Sequence, residues 1–200
     1  SYPKRNDNEH FINAVYKIGL CELSKGNYQK GFDLYEARFG YTGSGVKNPC
    51  KSKTWRKGDK INGKSILVRA EQGFGDIIQF SRFLKNLQKQ GAHISFHVND
   101  RLHHLMGQIT QNILSKGDKN NVELFDFEIP LLSLPHLLNI KNVCEDYHVG
   151  YLSANAHNVK KWQDKLNNDK VKVGICWQGS TNKIDKGRSF SLDHFEFLSR

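Results

Sequence analysis

The residues best suited to chemistry sit in one short turn, Gly73-Phe74-Gly75-Asp76. It follows an apolar run and precedes an amphipathic one. Two glycines there let a backbone turn tightly and approach a ligand. The N-terminus of the following helix offers free N–H groups and a positive dipole end. Asp76 has two readings. It is a first-turn carboxylate that stabilises the helix by about 1 kcal/mol, or a general base at a cleft. Gln79 and Arg82 follow at i+3 and i+6, along one polar stripe. Arg82 could pair with an anionic group or simply be solvated. The turn lacks the third glycine of a G-x-G-x-x-G fingerprint, because Ile78 stands there, and no G-K-S/T follows. Dinucleotide oxidoreductases and P-loop nucleotidases are therefore poor fits.

A second turn, Gln178-Gly179-Ser180, follows another apolar run. Backbone and hydroxyl donors there suit a phosphate, with Lys183, Lys186 and Arg188 adding positive charge. An ordinary connecting loop fits equally well. His103 and His104 are adjacent, so on a helix they face different ways and do not chelate together. Neither an H-E-x-x-H motif nor a G-x-S-x-G elbow occurs. The expectation is no metal site and no hydrolase triad. Cys21, Cys50, Cys144 and Cys176 form no C-x-x-C pair and read as reduced thiols of a cytoplasmic protein.

The elements that must position these turns are visible as periodicities. Residues 9–39 read as two helices. Ala14, Val15, Ile18, Leu20 and Leu23 give one apolar face, and Tyr28, Phe32, Tyr35 and Phe39 another. Gly26 suits a helix C-terminal cap and Asn27 an N-cap. Residues 41–63 read as a linker punctuated by glycines, with Trp55 as the anchor that packs it down. Strands are expected over 65–70, 93–98, 122–125 and 127–129, and helices over 77–90 and 100–110. Strand, glycine turn, helix, strand is the βαβ unit of a Rossmann-like sheet. Beyond about 158 come a helix carrying Trp162 and Leu166, a strand over 171–177 and a helix over 194–198. The expected organisation is a helical hairpin over 1–40, a linker over 41–63, an α/β domain over 64–157 and the start of a second over 158–200.

The chain has 200 residues and a net charge of +10. The charge is +6 over 1–60, zero over 61–150 and +4 over 151–200. Of the 30 basic residues 22 are Lys, and there are 18 Asn. Readers of phosphate and bases favour the forked Arg side chain. The basic bias therefore reads as compositional, and no nucleic-acid partner is expected. The longest mostly apolar run, 129–140, is broken by Pro130, Pro135 and His136. It falls short of the roughly 20 residues of a membrane span. The first residue is Ser1 and the last ones stop inside an amphipathic run, so both ends read as cut.

Taken together these motifs resemble known families. Gly19, Gly26, Tyr28, Gly31 and Tyr35 fall at signature positions of a tetratricopeptide repeat. Gly31 stands for the usual Ala, and Arg38 for a usual small residue. The stretch 66–83, then Pro130-Leu131-Leu132-Ser133-Leu134-Pro135 and Val173-Gly174-Ile175-Cys176-Trp177-Gln178-Gly179, resemble bacterial tetratricopeptide-repeat glycosyltransferase-like proteins. These are similar to lipopolysaccharide heptosyltransferases and, more distantly, to O-linked N-acetylglucosaminyltransferases.

The resemblance implies an α/β fold of GT-B type: a helical hairpin, a Rossmann-like acceptor-side domain and the start of a second, truncated one. It implies transfer of a sugar from a nucleotide-sugar to an acceptor hydroxyl of a glycan or protein, with inversion as the leading hypothesis and the stereochemical outcome left open. Asp76 is then the base. Gln72, Gly73, Gly75, Gln79 and Arg82 hold the acceptor, and Gln178, Gly179, Ser180 and Arg188 face the donor diphosphate. No metal or other cofactor is implied. With most of the donor half missing, the chain alone is expected to be inactive. A rival reading makes the protein a scaffold whose repeat-like helices bind a protein partner.

Overall fold

The computed structural model describes residues 7–41, 43, 46–50, 53–115, 125–143, 150–179 and 189–199. The chain divides into two compact units, residues 1–153 and 154–200.

The first unit opens with helices α1 (Asp7–Ser24) and α2 (Tyr28–Tyr35), the latter continued by a 3-10 turn over Glu36–Phe39. Gly26 ends α1 in the left-handed region, at φ +84°. Its N–H donates to Leu23 O at 3.0 Å, and Asn27 N–H donates to Glu22 O at 2.9 Å. These are the two bonds of a Schellman cap. Asn27 flanks α2, but its side chain does not cap it. Its amide donates instead to the Glu22 carboxylate at 2.6 Å, a charge-assisted bond that turns the side chain back onto α1. The helices fold onto each other where Gly31 faces α1. A Cβ on Gly31 would stand 2.7 Å from Leu23 Cδ2, so any larger residue would force the pair apart.

Four strands follow: β1 (Ser65–Arg69), β2 (His93–His97), β3 (Ile113–Leu114) and β4 (Phe127–Pro130). They form one sheet in the order β3-β2-β1-β4, with every pair parallel. Ile66, Leu67 and Val68 are all buried, as a central parallel strand covered on both faces requires. Ile66 pairs with Ile94 on one side and Phe127 on the other. Helices α3 (Phe74–Ser81) and α4 (Leu84–Lys89) carry the chain from β1 to β2, and Leu84 and Leu87 are fully buried. After β2 come a 3-10 turn and α5 (His103–Met106). After β4 come a 3-10 turn and α6 (Leu134–Leu137). Trp55, 3 % exposed, packs into the core and donates through Nε1 to Asp59 O, anchoring the linker.

The expected helix over 77–90 starts earlier and is broken at Arg82 and Phe83. Ser81 Oγ donates to Ile78 O at 2.9 Å and Arg82 Nε to Gln79 O at 2.8 Å. Side chains that bond to nearby carbonyls compete with the helical ladder. The helix expected over 100–110 is only two short turns, and Gly107, a poor helix former, follows α5. Of the strand expected over 122–125, residues 122–124 lie outside the described residues and Phe125 is irregular.

The second unit holds α7 (Ala156–Lys165), capped by Asn155, and a 3-10 run over Leu192–Ser199. The strand expected over 171–177 is not formed. Val171 and Val173 are 89 % and 58 % exposed, and the segment pairs with no strand among the described residues. A strand exists only within a ladder, and sequence periodicity does not supply the partner. The 194–198 helix is a 3-10 turn instead.

Candidate functional site

The turn after β1 lies at the carboxyl end of a central parallel strand, with β2 and β4 on either side. That is where open α/β sheets bind ligands. Gly73 is the N-cap of α3, and Asp76 is its third helical residue. Gly73 N–H donates to Asp76 Oδ2 at 3.0 Å. The Asp76 carboxylate is thus oriented by one oxygen and half-buried. Its Oδ1 has no hydrogen-bond partner among the described residues.

The two glycines do not make the turn, contrary to expectation. The left-handed residue is Gln72, at φ +63°, whereas Gly73 sits at φ −84°. A non-glycine residue there is strained by about 1–3 kcal/mol and must be held by its surroundings. What the glycines provide is room. A Cβ on Gly75 would meet nothing within 4 Å, and Gly73 and Gly75 are both exposed. The start of α3 therefore presents bare backbone.

The helical hairpin holds the turn from above. Arg38 is fully buried and grips Glu71 with Nε at 3.2 Å and Nη2 at 2.8 Å. The same Nη2 reaches Ser133 Oγ at 2.8 Å, and Nη1 reaches Glu36 at 2.5 Å. Glu71 also accepts from Leu132 N–H at 3.0 Å. Glu71 follows β1 and Leu132 follows β4, so Arg38 bridges the ends of neighbouring strands. Burial pulls the guanidinium down, but the Glu71 and Glu36 carboxylates outweigh it and hold it raised and charged. Next to this cluster, Arg69 pairs with the fully buried Glu128. Burial, followed by the Glu128 charge, pushes the Cys50 thiol well above its ordinary range. Gln72 Nε2 donates to Tyr35 Oη at 2.9 Å. Tyr35, Glu36, Glu71 and Ser133 carry no motif that marks them for the site. The one signal was Arg38, a charge where the repeat pattern wants a small residue.

The expected acceptor residues divide between two places. Gln72, Gly73, Gly75 and Asp76 form the turn. Gln79 and Arg82 line a groove of about 290 Å³ with Leu23, Tyr28, Phe32, Phe80, Phe83 and Val143, and Asp76 is not in its wall. Arg82 lies over the Tyr151 ring at 5.2 Å. In the second unit, Gln178 and Gly179 are exposed. Gly179 N–H donates to Ser189 Oγ at 2.8 Å, and Phe190 N–H to Trp177 O at 3.1 Å. Ser180, Lys183, Lys186 and Arg188 lie outside the described residues. Among the described residues no group of three or more His, Cys, Asp or Glu could hold a metal, and no helix is long and apolar enough to cross a membrane.

No protein-family model, no curated protein and no solved structure matches the chain.

Proposed function

We propose that the protein is a glycosyltransferase of GT-B type whose first unit holds the acceptor at the turn after β1. Asp76 takes the proton of an acceptor hydroxyl as that oxygen attacks the anomeric carbon of a nucleotide-sugar. The bond from that carbon to the diphosphate breaks, and a nucleoside diphosphate leaves with the electron pair. Gln72, Gly73 and Gly75 line the acceptor side, with Gln79 and Arg82 in the groove beyond. The donor is assigned to the second unit, at Gln178, Gly179, Ser180 and Arg188. The helical hairpin is read as tetratricopeptide-like, and residues 158–200 as the opening of a second Rossmann-like domain.

The observation that carries this reading is the Asp76 carboxylate. It sits at the carboxyl end of a central parallel strand, with one oxygen fixed by Gly73 N–H and the other without a partner among the described residues, beside bare glycine backbone. A fixed and unsaturated carboxylate is what a general base needs. The test is Asp76→Asn, with transfer from a nucleotide-sugar to an acceptor hydroxyl as the readout. Sugar transfer should fall by about 10²-fold or more with an unchanged circular dichroism spectrum. Full activity would remove Asp76 from the mechanism.

A second reading, as a scaffold, is favoured by one observation. Phe11 and Ile18, seven residues apart on α1, are 68 % and 49 % exposed. Such a stripe suits an apolar partner helix.

A further inference from the structure

The hairpin and the turn touch through two independent contacts, and both fall on the residues just before Gly73. Glu71 is clamped by Arg38 and by Leu132 N–H, so the base of the turn is fixed to the ends of β1 and β4. Gln72, one residue on, occupies the left-handed region without being glycine. A strained residue persists only where its surroundings over-determine it. The side-chain bond recorded for Gln72 is to Tyr35 Oη on α2, 37 residues away in sequence. Tyr35 is itself 9 % exposed, packed in the core and ringed by Tyr16 and the Arg38 guanidinium. Its hydroxyl accepts from the Gln72 amide, and burial raises the phenol above its ordinary range. The peptide unit that follows Gln72 ends in the Gly73 N–H, which aims at Asp76 Oδ2. Rotation at Gln72 would swing that N–H away and release the carboxylate.

We propose that Tyr35 is a positioning residue for the turn. Through its hydroxyl it holds Gln72 in the left-handed conformation and so sets the direction of the Gly73 N–H and the orientation of Asp76. The hairpin is then part of the site rather than an appendage beside it. The functional meaning of this rests on the reading of the turn as an acceptor site, but the positioning itself does not.

The test is amide hydrogen exchange on the chain, comparing wild type with Tyr35→Phe and Gln72→Gly. The first removes one hydroxyl. The second keeps the backbone conformation permissible and removes the tether. Both variants should speed exchange at Gly73, which donates to Asp76, and at Ile77, which donates to Gly73 O, by about fivefold, the weight of one net hydrogen bond. Val68 and Phe96 in the sheet and Gly31 in the hairpin should keep their wild-type rates. Unchanged rates at Gly73 and Ile77 would overturn the proposal. Equal acceleration at all five amides would also overturn it, since that marks a merely structural tyrosine. A parallel titration with methyl glycosides separates this from the acceptor reading. Faster turn exchange with no sugar response leaves the positioning intact and removes the acceptor. A sugar response at the turn with unchanged exchange does the reverse.

Discussion

Two aspartates flank β1, and their surroundings give them opposite jobs. Asp126 lies at the strand's start, where its carboxylate accepts from Ser65 N–H at 2.8 Å, Ser65 Oγ at 2.9 Å and Lys64 Nζ at 3.0 Å. The Ser65 backbone bond, then Lys64 and the Ser65 hydroxyl, hold it down to about 2. Asp76 lies past the strand's end with one bond, its other oxygen without a partner among the described residues. The first is a structural staple, and the second is the base we propose. A carboxylate whose folded pKa is depressed contributes stability above its unfolded value and loses it as pH falls through the folded one. The Asp126 contribution should therefore be present above about pH 4 and vanish toward about pH 2. In a ¹³C titration, the Asp126 carboxyl should show a midpoint near 2, and Asp126→Asn should flatten the acid dependence of Tm. A midpoint near the ordinary 3.8 would show that the Ser65 bonds do not form.

At the scale of elements, the junction of hairpin and sheet rests on the Arg38–Glu71 pair. Arg38→Ala leaves Glu71 charged and buried, and breaking such a pair typically costs about 3–5 kcal/mol. Urea unfolding should show a loss of that size. Arg38→Met with Glu71→Met should recover only part of it, because an apolar pair needs no desolvated charge but leaves the buried Leu132 N–H without its acceptor. A loss below about 1 kcal/mol for the single variant would mean the pair is solvated. This junction also marks the limit of what the sequence makes legible. β1 can be read from 66–68, a short apolar run, as a strand buried on both faces is, and β2 from the period-two alternation around 94–96; 127–129 likewise suggests the short strand β4. The Gly26 cap can be read because only a left-handed residue closes a Schellman turn. The break between α3 and α4 cannot, because it depends on which carbonyls Ser81 and Arg82 choose. The ladder that 171–177 lacks is invisible too, since pairing is a property of two segments. The turn was found by its glycines, yet its strained residue is Gln72, held by a tyrosine far away in sequence.

At the scale of the whole chain, the unit over residues 1–153 joins hairpin, linker and sheet in one body, while residues 154–200 form a unit of their own. The proposed donor residues belong to the second unit and the proposed base to the first. The central question is whether the turn after β1 receives a sugar. The direct measurement is a ¹H–¹⁵N titration of the chain with a panel of methyl glycosides, repeated on Gly75→Ala. The account predicts saturable shifts at the Gly73, Gly75 and Asp76 amides. In Gly75→Ala, a methyl fills the open space beside the backbone and those shifts should be abolished, although alanine strengthens the helix by up to about 1 kcal/mol. Shifts elsewhere, or none at the turn for any sugar, would contradict it.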